Sequence, residues 1–97
     1  MDDVKSKKYT MAGRVVVRKI GTDILLVPVS GPAAGGRVFP VNKTAECIWR
    51  CLSEGATALE AARELTRKYN VEEQEAFSDC VECAEQLLAE NLLAEVT

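Results

Sequence analysis

The chain contains no histidine. Imidazole is the usual general base near neutral pH and a common metal ligand. Ser-His-Asp and Cys-His nucleophile arrangements are therefore excluded. No stretch approaches the roughly 18 consecutive apolar residues that a membrane-spanning helix needs. The opening MDDVKSKKYTMAG lacks the apolar core of a secretory signal. Basic charge is also missing from the final third. All twelve Lys and Arg lie between Lys5 and Lys68, and from Tyr69 onward there are eight acidic residues and no basic one. A recognition helix in that segment would be repelled by phosphate, which argues against nucleic-acid binding. The carboxylates there read as a solvated helix face, or as a docking face for a basic partner.

What is present fits one small domain. Ninety-seven residues, 47% of them hydrophobic, can bury a single modest core. Residues 1–12 are polar and read as a disordered tail, leaving 13–97 as the folded unit. RVVVRKI (Arg14 to Ile20) and DILLVPV (Asp23 to Val29) are strand-like. The first alternates and keeps one wet face, whereas the second is apolar enough to be more buried. Gly21-Thr22 between them suits a two-residue II′ hairpin, with Pro28 marking where pairing stops. After the SGPAAGG loop (Ser30 to Gly36), RVFPV (Arg37 to Val41) forms a third strand.

The rest is helical. Asn42 caps a helix running to about Ser53, and Gly55 ends it. Thr57 and Glu60 have capping-box spacing at the head of a second helix, whose apolar positions are Leu59, Ala62 and Leu65. A third follows Val71. Its apolar stripe is Phe77, Cys80, Val81, Ala84, Leu87 and Leu88, and Asn91 provides its stop. Runs of strands followed by runs of helices indicate α+β. The expected fold is winged helix-turn-helix-like: a three-stranded antiparallel sheet followed by three helices.

Cys47 and Cys51 are four apart on the first helix, and Cys80 and Cys83 three apart on the third. Converging thiolates would suit zinc or an iron–sulfur cluster, but the loop knuckle of a zinc ribbon is missing. We expect reduced thiols, no metal and no cofactor, in a cytoplasmic protein.

RVFPVNKTAECIWRCLSEG, LEAARELTRKY and CAEQLLAENLLAE together resemble the PqqD-like family. Its members are recognition elements for the precursors of ribosomally made, post-translationally modified peptides. The matching positions are Val41-Asn42, Thr44-Ala45, Ile48, Leu52 with Gly55, Leu65 with Tyr69, and Leu87-Leu88; ILLVP (Ile24 to Pro28) is similar to the family's second strand. The resemblance implies a non-catalytic domain that binds the leader segment of a precursor peptide. It would present that peptide to a modifying enzyme, often a radical-SAM enzyme. The leader would add as a strand beside Arg37, Val38, Phe39, Pro40 and Val41, against Phe77, Val81 and Ala84 of the third helix. Two rivals are a protein–protein adaptor without a peptide substrate and a winged-helix nucleic-acid-binding protein. Pro40 poses a specific question: its missing N–H weakens either the sheet or the peptide contact, depending on which way it faces.

Overall fold

The computed structural model describes residues 7–96. In chain order they form β1 (Tyr9–Met11), β2 (Arg14–Ile20), β3 (Asp23–Ser30), β4 (Phe39–Val41), α1 (Lys43–Ser53), α2 (Ala58–Lys68), α3 (Glu73–Ala89) and β5 (Leu93–Glu95). Strands β2, β3 and β4 make a three-stranded antiparallel sheet in that spatial order, ahead of the three helices. This is the expected α+β arrangement.

Local chemistry explains the joints. Ile20 pairs with Asp23 across the hairpin. Gly21 sits at φ 62°, while Thr22 stays at negative φ. That is the II′ pattern, since I′ would need both central residues at positive φ. Past the hairpin, pairing does not stop at Pro28. Pro28 itself faces Val15, Ser30 faces Arg14, and the ladder is irregular between Arg14 and Val15. By the strand's alternation the Pro28 nitrogen faces the β4 side, beyond the last β3–β4 pair at Leu26 and Phe39, so no ladder donor is lost.

Each helix has a chemical start or stop. Asn42 Oδ1 accepts from the Ala45 N–H at 2.8 Å and from the Thr44 hydroxyl at 2.9 Å. Thr57 and Glu60 complete a reciprocal capping box. At the far end of α1, the Gly55 and Ala56 N–H groups donate to Leu52 and Cys51. Asn91, at φ 61°, does the same for α3: its N–H and that of Leu92 donate to Leu88 and Leu87. Both ends are Schellman stops, and Asn is the non-glycine residue that best tolerates the left-handed conformation. Replacing Asn42 by Ala should destabilise the fold by about 1 kcal/mol without altering it. An unchanged denaturation midpoint would refute the cap.

The core lies between the inner face of the sheet and the helices. Leu26 of β3, Leu52 of α1, Cys80 of α3 and Leu92 are fully buried, with Ile48 and Trp49 beside them. Each large apolar side chain contributes on the order of 1.5–3 kcal/mol of burial. One charge is buried too. Glu46 of α1 is 8% exposed. Its Oε2 accepts from Arg50 Nε and Nη2 at 3.0 and 2.8 Å, and Lys19 Nζ of β2 stands 3.6 Å away. The Arg50 hydrogen bonds hold the Glu46 carboxyl below the usual carboxylate range, so it stays charged and ties β2 to α1.

The tail expectation needs correcting at its inner end. Residues 1–6 lie outside the described residues, but Tyr9–Met11 is a strand paired antiparallel with β5. Tyr9 is 4% exposed and belongs to the core. Burial also raises its hydroxyl pKa. Three residues at each end of the domain thus close it as a second small sheet. Among the described residues, no helix is long and apolar enough to cross a membrane.

Candidate functional site

Among the described residues, strand β4 pairs with β3 along one side only. Its other side is an open edge with unpaired backbone groups. Three consecutive pairs join β4 to β3: Leu26 with Phe39, Leu25 with Pro40, and Ile24 with Val41. An antiparallel ladder alternates hydrogen-bonded and non-hydrogen-bonded pairs. One of the two possible phases would require Pro40 to donate inward, which it cannot. The ladder therefore takes the other phase. Phe39 and Val41 bond to β3, and Pro40 turns its backbone outward. The missing donor faces the open edge and not the sheet. What remains on that edge is the Pro40 carbonyl; continuing the alternation one residue past each end of β4 adds the Val38 backbone groups and the N–H of Asn42, whose backbone is extended.

Beside this edge runs a cleft of about 270 Å³ between β4 and α3. Leu26, Phe39, Val41 and Leu87 give it an apolar floor, and Cys83, Gln86 and Glu90 line the α3 side. One end is fastened. Arg37 Nη2 meets Glu90 Oε2 at 2.8 Å, and the same guanidinium lies 4.7 Å over the Phe39 ring. This contact joins the basic first part of the chain to the acidic third helix.

The structure brings Arg37, Phe39, Pro40 and Val41 to the cleft and leaves Val38 exposed next to them. It does not bring Phe77 or Val81 there. Phe77 lines a separate depression with Leu59, Glu73 and Gln74. At about 100° per residue, Phe77 and Val81 lie roughly 120–160° around α3 from Cys83. Ala84 is 1% exposed and forms core beneath the helix. The residues of α3 that line the β4 cleft are Cys83, Gln86 and Leu87, with Glu90 at its C-cap; of these only Leu87 belongs to the apolar stripe expected from sequence.

The thiols at and beneath the cleft are not activated. Burial, then Asp79 and Glu82, pushes the Cys83 thiol up to about 11. Burial likewise lifts Cys51 to about 11 and Cys80 to about 12. Thiols at such values are protonated at neutral pH and poor nucleophiles. All four cysteines are free, and among the described residues no group of three or more potential ligands is placed to hold a metal.

The profile of coenzyme PQQ synthesis protein D (PqqD) matches residues 23–93. A lasso peptide synthetase B1 complexed with its leader peptide superimposes with a TM-score of 0.73 at 21% identity, covering 90% of this chain and 98% of that one. TbiB1 in complex with the TbiA(beta) leader peptide gives 0.71 at 20% identity, covering 91% and 98%. Among curated proteins, no relative matches the sequence.

Proposed function

Because the chain belongs to the PqqD family, we propose that it captures the leader segment of a ribosomally made precursor peptide and presents it to a modifying enzyme. It does no chemistry itself. The observation that carries this reading is the open edge of β4 lying directly against an apolar cleft. An extended peptide adds to such an edge through its main chain, and pockets read its alternate side chains. The two structural relatives are leader-peptide complexes on the same fold, which supports the same use here.

The peptide contacts are Arg37 to Val41 on one side and Cys83, Gln86 and Glu90 on the other. The footprint is small, on the order of 1,000 Å², which permits micromolar or somewhat tighter binding. Reversible capture suits a carrier that must pass its peptide to an enzyme, which for this family includes radical-SAM enzymes. The reduced-thiol chemistry fits a cytoplasmic setting.

The test is a titration of isotopically labelled protein with the precursor peptide encoded by a neighbouring gene. Amides of Val38, Phe39, Cys83 and Gln86 should shift most. Shifts confined to the β2–β3 hairpin at saturation would sink strand addition at β4. Failure to bind any neighbouring short peptide would favour a protein–protein adaptor instead.

A further inference from the structure

The cleft does not end beside β4. A second hollow of about 270 Å³ adjoins it and shares Asn42, Ala45, Cys83 and Gln86 as walls. The two parts differ in charge. At the Phe39 end, Glu90 is already engaged by Arg37. At the far end, the charged lining groups are Asp79 and Glu82, and among the described residues no Lys or Arg lines either hollow. The ion pairs among the described residues use Lys7, Lys19, Arg37, Arg50 and Arg67, and none reaches Asp79 or Glu82. The field of both acids enters the trough, since they help raise the Cys83 thiol.

Resting on the peptide-capture reading above, we infer that the captured strand carries a basic side chain two or four residues from its apolar anchor, seated against Asp79 and Glu82. The apolar anchor occupies the hollow over Leu26 and Leu87. An uncharged or acidic residue at the far end would strip water from two carboxylates without compensation, so the site selects by repulsion as well as attraction. The spacing follows from geometry. Asp79 and Glu82 lie five to eight residues from Leu87 along α3. At 1.5 Å per residue this is roughly 8–12 Å. A strand rises about 3.3 Å per residue, so the same distance spans two to four residues. Side chains entering one face of a strand recur every second residue, which leaves two or four.

The experiment uses the full chain and a display library of randomised short peptides. Binders are kept only if they shift the Val38 and Gln86 amides. These should be enriched in Lys or Arg two or four positions from a Leu, Ile, Val or Phe. Exchanging that basic residue for Glu should weaken binding about fivefold or more to the wild-type protein, a scale set by partly exposed ion pairs. In the Asp79→Asn/Glu82→Gln double variant, whose changes are on exposed helix positions, the same exchange should cost less than about twofold, and added salt should reduce it in wild type. Cleft binders without basic enrichment, or an exchange penalty unchanged in the double variant, would overturn the charge inference while leaving peptide capture standing. A library that yields no cleft binders would overturn both.

Discussion

Alanine at Gly13 is expected to destabilise the protein by about 3–4 kcal/mol, in the range reserved for strain and steric overlap. Gly13 sits at φ 71° in the link between β1 and β2. A Cβ there would stand 2.3 Å from the Ser30 carbonyl oxygen and 2.6 Å from the Gly31 Cα. Both are backbone atoms and cannot swing aside. The approach lies where Arg14 pairs with Ser30, so relief would have to part β2 from β3 or lift β1 away from β5. Gly21 provides the internal control. It has a similar φ of 62°, but a Cβ at Gly21 meets nothing within 4 Å. Gly21→Ala should therefore show only the left-handed backbone term, about 1–2 kcal/mol. For a domain of this size each kcal/mol moves the melting point by about 4–8 °C. Equal losses in the two variants would show that the close approach at Gly13 is not what holds the strands together.

The same two glycines show how unevenly the fold could be read from sequence. Gly21 was legible because a hairpin turn is a local event between neighbouring strand-like runs. So were Asn42, Thr57 with Glu60, Gly55 and Asn91, each of which acts within one helical turn of itself. Gly13 was not, because what it meets is the Ser30–Gly31 backbone, brought near by pairing. The strand Tyr9–Met11 was missed for a related reason: its partner Leu93–Glu95 lies at the other end of the chain. Three residues, Tyr-Thr-Met, are too few for an alternation that reveals a strand alone. The site divided along the same line. The edge strand could be placed from Pro40 and the Asn42 cap. The facing side of α3 could not, because α3 packs against α2 as well as facing β4 and is apolar over a wide arc. Phe77 and Val81 were the most apolar choices on that arc. Which arc meets which neighbour is a tertiary fact: of the expected stripe only Leu87 lines the β4 cleft, beside Cys83, Gln86 and the cap residue Glu90. The direction of Pro40 needed the register of β4 on β3, which only the structure provides.

That register leads to the largest expected functional effect. On the open edge of β4, Pro40 offers a carbonyl but no donor, so the alternation leaves outward N–H groups at Val38 on one side and Asn42 on the other; Asn42 is also the α1 cap, which makes Val38 the cleaner test. Val38→Pro should remove the Val38 N–H while leaving the sheet intact, because Phe39 and Val41 make the bonds to β3. Val38 precedes the first paired residue and is 49% exposed, so its side chain contributes little to the core. Proline is also tolerated at the position that leads into an edge strand. A peptide carbonyl that met the Val38 N–H would then be desolvated without a partner, at a cost of about 1–3 kcal/mol. Affinity for the precursor peptide should fall by about tenfold or more, with thermal stability changed by no more than about 0.5 kcal/mol. A Val38→Ala control keeps the N–H and removes the side chain, and it should bind within about threefold of wild type. If Val38→Pro bound the peptide as tightly as Val38→Ala, pairing through the Val38 N–H would be refuted. Affinity would then have to come from the side-chain pockets between β4 and α3 and the rest of the edge.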